Sequence, residues 1–283
     1  MARKVASKDF NKNSLPRNRK EQFFDIIKNR QMEFFKVGAL LLLFFIPFLV
    51  SIIIKDVSVL SITSMESVTE EEIASMIFST NIIYNAMMFV SIIIFSIGLS
   101  GIIKIFKELI YSEPIFFKED FFQGIKENIK SLVVISVIVG LLTAISNIAY
   151  IIFDNIALRV LPTAINFALI FPACLIAIFL TSIYNNKAFV TIKTSYALYI
   201  RYFPQILLSY VLVILMVFLK LIPIEYFFIK YIVLILAVVF YYPTIIFGSY
   251  IFQVSVYDKN FNKTQFIEYY HKGLFNEDLT DKK

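Results

Sequence analysis

Residues 37–54 read VGALLLLFFIPFLVSIII, eighteen consecutive positions without a charge. Fourteen of them are Val, Leu, Ile or Phe. At the centre of an inserting helix each such residue contributes about −0.3 to −0.6 kcal/mol, so the run favours insertion by roughly 4 to 8 kcal/mol as an upper bound. Its length is close to the ~20 residues that cross a hydrocarbon core. The segment is a transmembrane helix, and it sets the class of the whole chain.

Working outward, the same pattern recurs. Residues 74–103 form a run of thirty uncharged positions, longer than one crossing requires. Further apolar runs cover Ser131–Phe153, Val160–Asn186 (with Pro172 inside), Phe203–Leu219 and Tyr231–Phe252 (with Pro243 inside). The composition agrees: 59% of the 283 residues are hydrophobic, against roughly 45–50% in a soluble domain. The expected fold is therefore all-α, a polytopic bundle of six transmembrane helices. Residues 1–36 would be a basic cytoplasmic segment, 37–252 the transmembrane domain and 253–283 a cytoplasmic tail.

Orientation follows from the Lys and Arg residues in the connections. With an inside N-terminus, the inside segments hold 10, 5, 3 and 5 of them, 23 in all, and the outside segments hold four: Lys55, Arg159, Lys220 and Lys230. Both termini are predicted cytoplasmic. The pI of 9.1 is accounted for by this asymmetry and by attraction to anionic headgroups. It gives no reason to invoke nucleic acid. The first apolar run has no small-residue cleavage site behind it, so it is expected to be retained.

Three connecting segments carry helical amphipathic patterns. Residues 21–36 put Phe23, Phe24, Ile26, Ile27, Phe34 and Phe35 on one side. Residues 114–130 gather Phe116, Phe117, Phe121, Phe122, Ile125 and Ile129 opposite Glu119, Asp120, Lys126, Glu127 and Lys130. Residues 188–201 set Phe189, Ile192, Tyr196, Tyr199 and Ile200 against Lys193 and Arg201. All three are expected to lie as surface helices on the cytoplasmic face. Phe117, Phe121, Lys126 and Lys130 are then candidate contacts for a partner or for lipid. The recurring order of span, surface helix and span suggests a weak internal repeat.

Chemistry-bearing patterns are sparse. The only cysteine, Cys174, lies in an apolar run and the only histidine, His271, in the tail, which leaves no Cys- or His-based metal set and no nucleophile–base pair. No catalytic residue and no cofactor is assigned. Near the span centres no ionisable residue occurs, and such a residue would be the usual mark of an ion or proton path. The polar residues that remain there are neutral. Asn85, Asn147 and Asn166 either line a path for an uncharged solute or bond between helices. The acidic loop at 55–73, with Asp56, Glu66, Glu70, Glu71 and Glu72, reads either as a cation site or as the capped, acidic start of the second span, with Ser67 or Thr69 as the cap. Pro47, Pro172 and Pro243 suggest packed, bent helices. The patch Ser96, Gly98, Ser100 and Gly101 suits close helix contact.

Two stretches carry a resemblance. Gly98-Leu99-Ser100-Gly101, then Lys104 to Glu113, then Phe116-Phe117-Lys118-Glu119-Asp120-Phe121-Phe122-Gln123-Gly124-Ile125-Lys126-Glu127-Asn128 resembles the YesL-like family of bacterial membrane proteins. The tail Tyr257-Asp258-Lys259-Asn260-Phe261-Asn262-Lys263 with Tyr270-His271-Lys272-Gly273-Leu274 is similar to a tail found in a subset of them. The resemblance implies a multi-pass protein of the bacterial cytoplasmic membrane, without enzymatic activity, often accompanying carbohydrate-uptake systems. Its expected partners are the bilayer and either transporter subunits or a second copy of itself. The alternative is an independent transporter or export component for an uncharged solute.

Overall fold

The computed structural model describes residues 15–65, 68–184, 188–215 and 227–275. They form helices and turns, with no strand among them. The ten α-helices are α1 Arg19–Asn29, α2 Gln31–Thr63, α3 Glu70–Ile110, α4 Phe117–Ile152, α5 Ile156–Ile165, α6 Phe171–Tyr184, α7 Ala188–Arg201, α8 Phe203–Ile214, α9 Phe227–Leu236 and α10 Tyr242–Tyr257. A π-turn, Asn166–Ile170, fuses α5 to α6, and another, Ala237–Tyr241, fuses α9 to α10. Among the described residues, five helical runs are long and apolar enough to cross a membrane. Taken together, the pair α7–α8, bent by 110°, raises the number to six. The expected fifth span is described only as far as residue 215.

The chain runs up and down. Gln22 of α1 donates to the Ile110 carbonyl at the end of α3, and Arg19 pairs with Asp258 just past α10. The Phe275 amide reaches the Pro16 carbonyl at 3.0 Å. Both described ends of the chain therefore lie at one end of the bundle, called here the terminal end. At the far end Asp56 of α2 holds Lys230 of α9.

The first helices are longer than a bilayer needs. At ~1.5 Å per residue, the 33 residues of α2 and 41 of α3 extend about 50 and 60 Å, against a hydrocarbon core of ~30 Å. The α2–α3 hairpin projects at the far end and the α3–α4 hairpin at the terminal end. The expected outer loop therefore shrinks to the short link between Thr63 and Glu70. Thr69 caps α3: its hydroxyl accepts from the Glu72 amide at 3.4 Å while Glu72 returns a carboxylate to the Thr69 amide at 3.0 Å. This reciprocal box uses the acidic run as a helix start. Among the described residues no group of three or more His, Cys, Asp or Glu is placed to hold a metal. Glu66 and Ser67 lie outside the described residues.

Residues 114–130 do not lie as a separate surface helix. They are the first turns of α4, continuous with the third span, and they pack against the end of α3. A periodic apolar arc serves a membrane surface and a neighbouring helix equally well. Here the neighbour wins because the small-residue patch lets α4 come close. A Cβ on Gly101 would collide with the Phe121 ring, and one on Gly124 would meet the Ser100 carbonyl at 2.9 Å. Asn128 closes the seam by donating to that same carbonyl at 3.3 Å. Residues 188–201 do form a separate helix, α7. It ends at Arg201, because Pro204 has no N–H to carry the α7 ladder onward and sits instead in the first turn of α8. Because α4 is continuous and α7 is not, the two units do not repeat each other.

The repeat that does appear is a matter of backbone. In two spans a π-turn runs directly into an aromatic–proline pair, Phe171-Pro172 and Tyr242-Pro243. Proline removes a donor and leaves the carbonyl four residues earlier without its helical partner. For Pro172 that carbonyl is Ala168, and the Tyr199 hydroxyl donates to it. For Pro243 it is Val239, whose oxygen lies directly against the Gly38 Cα of α2, where any Cβ would overlap it. Glycine permits that approach, with a weak Cα–H···O contact as its reward.

Candidate functional site: the intramembrane amides and a lateral groove

The structure brings the three intramembrane asparagines to α4 and ties them up. Asn147 of α4 donates to the Asn85 side-chain oxygen of α3 at 2.8 Å. One residue earlier on α4, Ser146 accepts from Asn166 at 2.6 Å, and Asn166 also donates to the Leu142 carbonyl at 3.0 Å. Asn85 and Asn166 are 6% and 4% exposed. These are bonds between neighbouring helices, a second role that the sequence left open. Buried polar atoms of three residues have no partner among the described residues: the Asn85 Nδ2, the Tyr111 hydroxyl, and both side-chain polar atoms of Gln253 on α10.

The residues picked from the amphipathic segment are split by the fold. Phe121 is only 6% exposed, set into the Gly101 notch. Phe117 is half-buried, under the Lys36 ammonium at 5.5 Å from its ring centre. The Phe121 ring is thus occupied within the bundle, while Phe117 keeps part of its surface open. Lys126 and Lys130 stay exposed, beside the outward rings of Phe116 and Phe122.

A charge network caps the terminal end. Arg19 reaches Asp258 through two nitrogens (2.9 and 3.2 Å), and its third donates to Gln22 and to the Lys272 carbonyl. Asn262 supplies the other Asp258 oxygen at 2.7 Å. Gly273, at φ +82°, sits where a Cβ would meet Gln22 and the Ile110 carbonyl. Its left-handed backbone is one that glycine adopts freely. Lys272 pairs with Glu113 in the α3–α4 link. A hydrogen bond from Glu108 and the charge of Lys272 hold the Glu113 carboxyl below the ordinary carboxylate range.

Beside this cap lies the main cavity, a half-open groove of about 1240 Å³ between α1, α8 and α10. Its wall is apolar: Phe23 and Phe24 from α1, Leu208 and Leu212 from α8, Ile245 and Phe252 from α10. Phe24, Leu208 and Leu212 are 60%, 66% and 42% exposed. The end nearest the chain termini is cationic, with Arg17, Lys20, Lys259 and Lys263 on the rim. Nothing in the residue pattern signals the groove. Its walls come from segments more than 180 residues apart, and its lysines are indistinguishable there from the general positive-inside excess.

Among protein-family models, curated proteins and solved structures, none matches the chain; what its own residues and geometry make it is a polytopic all-α membrane protein.

Proposed function

We propose that the chain is a non-enzymatic component of the bacterial cytoplasmic membrane, with both termini in the cytoplasm, that acts as an accessory to a transport system. The observation that carries this reading is the use made of Asn85, Asn147 and Asn166. A route for an uncharged solute would need those amides, and they are engaged between α3, α4 and the π-turn before α6. Among the described residues the main apolar core, of Phe, Ile, Leu and Tyr, gathers nearer the terminal end. A bundle closed in this way acts through its outer surface.

The likeness of residues 98–128 and 257–274 to YesL-like proteins points to carbohydrate uptake as the system served. The 23-to-4 distribution of Lys and Arg supports the orientation. The test is a mild-detergent pull-down of the tagged protein from its native membrane, read by mass spectrometry. Permease or ATPase subunits are expected in stoichiometric amounts. Recovery of the protein alone overturns the accessory role and favours the second reading, an independent carrier of an uncharged solute. That reading has one observation behind it: the unpaired Asn85 Nδ2 and the partnerless buried amide of Gln253 are groups that a small polar molecule would satisfy.

A further inference from the structure

The groove carries an inference that goes beyond the accessory role. Three of its properties converge. First, its charge is one-sided. Among the described residues the only acid on its lining is Asp258, already engaged by Arg19. Arg17, Lys20, Lys259 and Lys263 are exposed, and none of them is in an ion pair among the described residues. Four cations gathered around one opening repel each other and favour an anion.

Second, the wall below that rim is apolar and its side chains stand open. A free phosphate would use the rim and gain nothing from Leu208 and Leu212. A ligand with a hydrocarbon chain uses both. Third, the length fits. From Thr244 to Asp258 along α10 the groove runs about 21 Å at ~1.5 Å per residue. One leaflet, half of a bilayer of ~40–45 Å including headgroups, has the same depth. Gly248 sits midway along that path, where a side chain would narrow the groove.

We propose that this groove binds one anionic glycerophospholipid of the surrounding bilayer. Its phosphate lies among Arg17, Lys20, Lys259 and Lys263, and an acyl chain lies along Leu208 and Leu212. The charge favours an anionic over a zwitterionic occupant, because among the described lining residues no free carboxylate meets a choline or ethanolamine headgroup.

The chain has no tryptophan, so Leu208→Trp installs a single indole in the groove. Leu212→Trp is a second reporter in case the first fails to insert. Each is reconstituted into phosphatidylcholine–phosphatidylglycerol vesicles in which one lipid or the other carries brominated acyl chains. Brominated phosphatidylglycerol is expected to quench the indole at a several-fold lower mole fraction than brominated phosphatidylcholine. Lys259→Gln and Lys263→Gln should each reduce that preference by about fivefold, the scale of one basic residue against an anionic membrane surface. Lys→Arg at the same positions should preserve it. Equal quenching by the two lipids overturns the proposal, because it describes ordinary boundary lipid. No quenching by either lipid in both reporters also overturns it, since the groove is then filled by protein, from this chain or another.

Discussion

Each end of the bundle is joined by an ion pair, buried at one end and part-buried at the other, and the two are built differently. At the terminal end Arg19 and Asp258 have side chains 7% and 5% exposed. Both Asp258 oxygens have a donor, and three guanidinium nitrogens have an acceptor. At the far end one oxygen of Asp56 takes both Lys230 at 2.6 Å and the Tyr231 hydroxyl at 2.8 Å. Arg159, before α5's second turn is complete, pairs loosely with the fully exposed Asp154 at 3.7 Å and also meets the Phe153 carbonyl and the Tyr150 ring. The first arrangement fixes a geometry, because every arm has one place to go. The second joins α2 to α9 with less directional demand. An ion pair specifies structure in proportion to the hydrogen bonds that surround it.

The contrast is broken most directly at Arg19. Arg19→Ala strands a buried carboxylate and is expected to cost about 3–5 kcal/mol, read as lost thermal stability in detergent. Replacing both partners, Arg19→Met with Asp258→Leu, should recover most of that loss. If it does not, the network does more than neutralise charge.

At the far end, Asp56→Asn removes the charge but leaves an acceptor for Tyr231. A loss of roughly 1–3 kcal/mol is expected by the same measurement. A loss as large as that of Arg19→Ala would erase the difference between the ends. Smaller still is the response of the tail to acid. The Glu113 pKa is depressed in the folded protein, so its contribution is present above the unfolded value and is lost as pH falls through the folded one. Hydrogen exchange of residues 267–274 should be slow at pH 7 and accelerate, relative to the intrinsic rate, below about pH 4. A flat profile would remove Glu113 from the cap. Arg159→Ala should change stability by less than about 1 kcal/mol, as exposed pairs do.

The spans were legible because the bilayer writes one rule everywhere: a run of about twenty residues without charge. Long-range pairing follows no such local rule. Arg19 looked like one more basic residue among ten, and nothing around it names Asp258, 239 positions later. Residues 114–130 were misread for a physical reason: an apolar arc tells that a helix has a dry side without telling what lies against it. The clue was present in Gly124 and in the small residues at 96–101, which predict a partner helix when read together. The prolines were legible as bends. The π-turns that absorb them were not, because the device depends on what neighbours offer, a Tyr199 hydroxyl in one span and the bare Cα of Gly38 in the other.

The reach of the Arg19–Asp258 pair also sets an order of events in time. At ~5–20 residues per second, Asp258 leaves the ribosome on the order of ten to fifty seconds after Arg19. Through that interval α1 has neither its carboxylate, nor the α10 face that receives Phe23, nor the glycine that Gln22 grips. Helix α1 is therefore made early and seated late. Until α10 arrives it has the Ile110 carbonyl to hold but no carboxylate for its arginine.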